Sequence, residues 1–338
     1  MRRFLYRVLL FFLIPVIGLM VLYLVTDPYK TLKPFSLQYF DTINRDYFST
    51  ELFLMNERHH EYNSFIFSSS RGCGLNTYHW KKYLDENDCQ FLFQSWGETL
   101  TGIEQKVAFL DDSGQKLKNI LILIDIPGTF SHKQIPTEAM SIKDPAISGQ
   151  PKWLHQLILF YDYLQKPTQW TRAVRHSLSQ VKPSLDIDTL TNDWNKNNRF
   201  INLDTPPDRD SLKNYSSKKR IEFLTDVALK SDADIVTSEQ LITEKHKEQL
   251  AHIKSIFDKN NTNYRIIITP GYCYMYPTIS SEDLTVLNEI FGADMVHNYS
   301  GKNDFTSDYN NYSDPNHFSQ YIGWMMIEDI FNPHNKID

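Results

Sequence analysis

The stretch NILILID, residues 119–125, decides the fold. It is a continuous apolar run between Asn119 and Asp125, the pattern of a strand buried on both faces. Working outward, similar short runs recur: SFIF (64–67) and CQFLFQ (89–94) before it, YRIIITP (264–270) and DMVHNYS (294–300) after it. Between them lie segments with helical spacing. TLTGIEQKVAFLDD (99–112) places Leu100, Ile103, Val107 and Leu110 on one face. SEQLITEKHKEQLAHIKSIFDK (238–259) does the same with Leu241, Leu250, Ile253 and Phe257. TYHWKKYLDEND (77–88), DLTVLNEIF (283–291) and FSQYIGWMMIEDIF (318–331) complete the set. Strands alternating with helices predict an α/β fold, a parallel sheet with helices on both faces. Active sites in such folds gather at the carboxyl ends of the strands.

The 338 residues are 41% hydrophobic and 14% aromatic, enough for a substantial core. A charged fraction of 22% is ordinary and nothing suggests a disordered chain, while a net charge of -6 argues against a nucleic-acid binder. Residues 1–26 read as a cytoplasmic N-terminus and transmembrane anchor: no charge occurs from Val8 to Thr26, 19 residues against the ~20 needed to span a bilayer. Arg2, Arg3 and Arg7 precede the run, so the positive-inside rule places everything after Asp27 outside the cell membrane, periplasmic or extracellular. LYLVTDPY offers no small-residue cleavage site, which favours an uncleaved, single-pass anchor over a signal peptide. Residues 27–60 read as a connecting segment with a short helix in STELFLMNERHHEYN, and 61–338 as the α/β domain. A largely helical or irregular insertion occupies about 127–231, including PKWLHQLILFYDYL and the polar NDWNKNNRF and DTPPDRD.

The first strand stops at a cluster of hydroxyls, FIFSSSRGCG, and the chain closes with YSDPNHFSQYIG. In the second, Asp314 and His317 are three residues apart on a loop marked by Pro315. An imidazole acts as a base when an acceptor holds its far nitrogen and fixes the tautomer, and a nearby Asp does this. A serine nucleophile after the first strand would complete the set; a hydroxyl-rich turn capping the next helix is the plainer reading. Gly72 and Gly74 lack the Lys and spacing of a phosphate-binding loop. Cys73, Cys89 and Cys273 show no zinc-site spacing, so no metal and no cofactor is expected. A Cys73–Cys89 disulfide and three small buried residues are the two readings of these thiols, with burial expected for Cys73. His59 and His60 read as a solvated pair, and His79, His132, His246 and His252 as surface residues.

Together these pieces resemble the SGNH (GDSL-type) hydrolase superfamily over roughly residues 61–331, the insertion apart. In that family the first strand ends in G-D-S; here Ser68 and Ser69 replace Gly and Asp and leave Ser70 as the nucleophile. FQSWGETL matches the second block and points to Gly97 as an oxyanion-hole glycine, beside the backbone N–H of Ser70. Asp314 and His317 match the closing D-x-x-H. The third block, G-x-N-D, is not matched: IDIPGTFSH has Asp125 where the motif should be, leaving the backbone near Gly128 or Thr129 as a substitute donor. Arg71 reads either as an anion-binding group or as the buried partner of Asp125. The resemblance implies a flavodoxin-like three-layer sandwich with a five-stranded parallel sheet. It implies a serine esterase or O-acyltransferase working through a Ser70–His317–Asp314 triad. With the anchor, it is similar to envelope proteins of alginate O-acetylation and teichoic-acid D-alanylation, implying a cell-envelope polysaccharide or glycan as substrate and a polytopic membrane acyltransferase as partner. The alternative is a catalytically weak glycan-binding or scaffolding partner of such a complex. Trp96, Tyr272, Tyr274 and Tyr276 could stack on sugar rings or simply pack.

Overall fold

The computed structural model describes residues 1–29, 31–32, 44–130, 139, 142–168, 170–171, 218–230 and 235–332. The helices are α1 (Arg2–Thr26), α2 (Arg45–Asn56), α3 (Thr77–Lys81), α4 (Leu100–Asp112), α5 (Pro145–Ser148), α6 (Lys152–Leu164), α7 (Lys218–Lys230), α8 (Glu244–Asn260), α9 (Ser281–Phe291) and α10 (Gln320–Phe331). The strands are β1 (Ser64–Ser68), β2 (Gln90–Gln94), β3 (Asn119–Ile124), β4 (Asn263–Ile268), β5 (Val296–Asn298), β6 (Tyr312–Asp314) and β7 (His317–Phe318).

The first five strands form one sheet in the order β2-β1-β3-β4-β5, every pairing parallel. Successive side chains of a strand point to opposite faces, and here each face feeds its own core. Phe65, Phe67, Phe91, Phe93, Ile120, Ile122, Ile124, Ile266 and Ile268 pack with α2, α4, α8 and α9. Ile66, Leu92, Leu121, Leu123 and Ile267 pack with Trp80 of α3, Phe223 of α7 and Ile322 and Met326 of α10. The fold is therefore α/β, with helices on both faces of a five-stranded all-parallel sheet. The strand order reverses beside β1: the chain steps one way to β2, then crosses back to β3. That reversal opens a crevice between the carboxyl ends of β1 and β3, the switch point where α/β folds bind ligands.

Several boundaries differ from the sequence expectation. The helix expected over 77–88 stops at Lys81, because the Lys81 ammonium binds the carbonyls of Asp85, Glu86 and Asp88 and satisfies them outside a helix. The helix expected from 238 begins at Glu244, where Thr243 and His246 form a reciprocal cap. Asp283 holds the N–H groups of Leu241 and Ile242 before it. His79 and His246 are buried rather than on the surface, while His252 is exposed and His132 lies outside the described residues. The polar stretches NDWNKNNRF and DTPPDRD also lie outside them. Among the described residues no helix is long and apolar enough to cross a membrane.

Candidate active site

Ser70 begins a short 3-10 turn, Ser70–Gly74, two residues past the end of β1. Ser68 and Ser69 are buried, and Ser70 is the partly exposed member of the three. Its hydroxyl oxygen lies 2.8 Å from Nε2 of His317. The other ring nitrogen, Nδ1, lies 2.8 and 2.9 Å from the two carboxylate oxygens of Asp314. Serine, imidazole and carboxylate thus form a continuous hydrogen-bonded line, the first two standing 247 positions apart in the chain.

The imidazole is delivered by a hairpin the sequence did not announce. Asp314 and His317 are cross-strand partners in the antiparallel β6–β7 pair, joined by Pro315 and Asn316. The Asp314 carboxylate accepts the backbone N–H of Asn316 and of His317, at 3.1 and 3.0 Å, which fixes it beneath its own ring partner. Burial alone would raise the Asp314 carboxyl. The hydrogen bond and charge of His317, with those two N–H groups, outweigh it and hold the carboxyl below its ordinary value. The hairpin is tethered from outside: the N–H of Tyr272 donates to Pro315 O at 2.8 Å, and Arg220 donates to the carbonyls of Tyr309 and Tyr312.

A close backbone contact sets the serine against the hairpin. A Cβ added at Gly323 of α10 would lie 1.9 Å from Gly74 O, and one at Gly74 would lie 2.3 Å from Phe318. Glycine at 323 thus lets α10 meet the backbone of the turn that carries Ser70, while glycine at 74 makes room for the Phe318 ring of β7.

Behind the nucleophile, Asp125 has a structural duty. Its carboxylate accepts from the Ser69 hydroxyl and, at 2.8 Å, from the Thr269 hydroxyl, and it pairs with Arg71 Nε at 3.5 Å. Arg71 also donates to Thr269 Oγ1 at 2.5 Å and lies over the Tyr276 ring at 4.1 Å. Burial pushes the Tyr276 phenol up to about 12, the Arg71 charge offsetting only part of this. Of the two readings of Arg71, the structure therefore holds the buried pair with Asp125. The network ties the ends of β1, β3 and β4 together beneath Ser70. It also removes one candidate oxyanion donor: the Thr129 N–H already donates to Asp125 O at 2.9 Å, and Thr129 itself is buried.

Gly97 lies in the loop after β2, exposed, with φ +61, a left-handed conformation that favours glycine. The loop is fixed at both ends. The N–H of Ser95 donates to Ser68 O at 3.0 Å, two residues from the nucleophile. Ser95 and Glu98 enter a buried charge cluster in which Lys106 contacts Asp46 and Glu98, and Lys143 contacts the same two carboxylates at 2.7 and 2.6 Å. Two acids balanced by two amines make burial of all four charges tolerable. The cluster was missed from sequence. The one signal is Lys106 standing on the apolar face of α4 between Ile103 and Val107.

Other neighbours also escaped the sequence reading. Gln94, at the end of β2, donates to Ser70 O at 3.4 Å and to Cys73 Sγ at 3.0 Å. Arg45, opening α2, donates to Gln94 Oε1 at 2.9 Å and to Cys73 Sγ at 3.1 Å, and its guanidinium lies 4.0 Å over the Trp96 ring. Cys73 is exposed, not buried, and all three thiols are free. Of the four aromatic residues expected near the edge, Trp96 is exposed, Tyr276 lies under Arg71, and Tyr272 is buried against Phe223, Tyr274, Tyr309 and Tyr312. Among the described residues no group of three or more His, Cys, Asp or Glu side chains is placed to hold a metal ion.

The arrangement can do one kind of chemistry well. A hydroxyl bonded to an imidazole, itself bonded to a carboxylate, is a nucleophile with a base and an orienting group. In comparisons with family models and with curated proteins, no match to the chain was found.

Proposed function

We propose that this protein is a membrane-anchored serine acyl-transfer enzyme of SGNH-like type, an esterase or O-acyltransferase acting on a cell-envelope polysaccharide or glycan. The observation that carries the reading is the 2.8 Å contact between Ser70 Oγ and His317 Nε2, continued at 2.8 Å from Nδ1 to Asp314. Ser70 Oγ attacks an ester or thioester carbonyl while His317 takes its proton and then returns it to the leaving group. Asp314 holds the ring and stabilises its charged form. The N–H groups of Ser70 and Gly97 are the proposed oxyanion donors. Attack on the acyl-serine by water makes the protein an esterase; attack by a sugar hydroxyl makes it an O-acyltransferase.

The anchor is the apolar run from Val8 to Thr26, with Arg2, Arg3 and Arg7 on its cytoplasmic side and the α/β domain outside. Supporting this, α1 exposes Phe11, Phe12, Leu13, Ile14, Val16 and Ile17, apolar residues distributed around the helix rather than along one stripe. A polytopic membrane acyltransferase is the proposed source of the acyl group. Exposed Trp96 near the site is a surface on which a sugar ring can stack.

One observation favours a second reading, a catalytically weak scaffold that binds glycan within the same complex. Asp125 replaces the Asn donor of the third block and is committed to Ser69, Thr269 and Arg71. Losing one oxyanion donor costs about 10²–10³ in rate. A fluorophosphonate probe separates the two. Labelling of the purified full chain that disappears in Ser70→Ala and in His317→Ala supports the enzyme. A folded wild type that takes no label refutes it in favour of the scaffold.

A further inference from the structure

Among the described residues, helix α6 buries one face and leaves the other exposed. His155, Leu159, Asp162 and Tyr163 point inward. On the opposite side Trp153, Leu157 and Tyr161 stand at intervals of four residues, 68%, 56% and 56% exposed. Residues four apart share one face, so these three form a single apolar stripe, and Lys152 at its start is also exposed. Trp and Tyr bordering an aliphatic residue is the composition of a membrane–water interface, where an aromatic ring keeps one side in hydrocarbon and its polar edge in the headgroups.

The position of α6 says which surface covers it. It packs on the last turn of α1: Tyr23 is buried there, its ring 5.4 Å from both Phe160 and Tyr163, and its hydroxyl donates to Gln156 at 2.8 Å. Just past that turn Tyr29 donates to Asp162, and Gln156 donates to Thr31. The last two turns of α1 expose Val21, Leu24 and Val25. The chain leaves the helix immediately afterwards, where the Asp27 carboxylate receives the N–H groups of Thr31 and Leu32. So α6 sits at the level where α1 ends, and both helices expose apolar side chains there.

We propose that α6 lies in the headgroup layer of the bilayer that holds α1, with Trp153, Leu157 and Tyr161 turned to lipid, and that this second contact brings the catalytic edge to the membrane surface. The inference rests on the anchor reading given above. The link to the site runs through the first turn of α2. There Tyr47 stacks on His155 of α6, while its neighbour Arg45 contacts Gln94, which in turn donates to Ser70 O. Seating α6 in the interface therefore leaves Ser70 three side-chain contacts away, by way of the first turn of α2. A membrane-borne or membrane-exported acyl donor then reaches the serine without crossing bulk water.

The test uses the full chain in phosphatidylcholine nanodiscs with and without dibrominated acyl chains, which quench indole fluorescence on contact. No tryptophan occurs in residues 1–32, so the anchor itself is silent. The expected result is lipid-dependent quenching in the wild type and loss of most of it in Trp153→Phe, which keeps an apolar ring in place. Leu157→Gln/Tyr161→Gln should weaken the quenching while the chain still floats with lipid. Quenching that Trp153→Phe leaves unchanged, in a chain that floats, overturns the seating of α6 and spares the anchor. A chain that stays in the aqueous fraction overturns both. A Trp153 shielded from iodide but untouched by brominated lipid also overturns the proposal, showing the stripe to be covered by protein, whether a second copy or another segment of this chain.

Discussion

Replacing Gly323 by alanine should disable the site without touching any of its reacting groups. The new methyl carbon would lie 1.9 Å from Gly74 O, and real Cβ contacts essentially never fall below 3.0 Å. At least 1.1 Å must therefore be found between α10 and the turn that carries Ser70. Because the obstacle is a backbone oxygen, no side-chain rotation relieves it. Alanine gains about 1 kcal/mol in helix propensity over glycine, while forced overpacking costs about 1–3 kcal/mol, so the net effect on stability is small or destabilising. The effect on chemistry is larger. His317 is three residues ahead of α10 and Ser70 opens the opposing turn, so the displacement falls on their 2.8 Å contact. A misplacement of about 1 Å costs on the order of 10² in rate. The assay is the rate of fluorophosphonate labelling at Ser70, read beside a thermal melt. A variant that labels at the wild-type rate would refute the argument that this glycine pair sets the serine–imidazole distance.

Asp314→Asn keeps the shape of the hairpin but removes the charge that selects the His317 tautomer; labelling should fall by about 10⁴ while the melt changes little. Lys106→Met leaves Asp46 and Glu98 sharing Lys143 alone, and should cost about 3–5 kcal/mol in denaturant unfolding, with equal stability counting against the charge cluster as a support of the Gly97 loop. Burial, with the neighbouring Glu51 carboxyl, pushes Asp144 from 3.8 up to about 7, although the N–H of Ala146 opposes the rise. The folded chain thus keeps a proton that the unfolded chain releases, so stability should fall as pH rises from about 4 to about 7. Asp144→Asn retains an acceptor for the Ala146 N–H and should flatten that fall in melts taken from pH 4 to 8.

The strands were legible because each is a compact apolar run ending in polar residues; β1 to β4 lie within a residue or two of where the sequence puts them. Helix ends were less legible, because what stops them acts from elsewhere: the Lys81 ammonium reaching forward, the Asp283 carboxylate reaching back from α9. The β6–β7 hairpin is too short to show any period, with strands of three and two residues. Yet Asp314 and His317 could be named, since chemistry rather than periodicity singled them out. Asp125 shows the opposite case. Its pairing with Arg71 was one of two readings open from the sequence, but its bonds to the Ser69 and Thr269 hydroxyls join residues distant from it in sequence that meet only at the sheet edge.

The packing of Tyr23 and Tyr29 against α6 has a practical consequence for handling the protein. Trimming residues 1–43 to obtain a convenient water-soluble fragment would strip Tyr163 and Phe160 of a ring partner and Asp162 of its phenol. The freshly uncovered apolar side of α6 would then adjoin Trp153, Leu157 and Tyr161. Such a fragment should be sticky and prone to self-association, and detergent would have to stand in for the helix that was cut away.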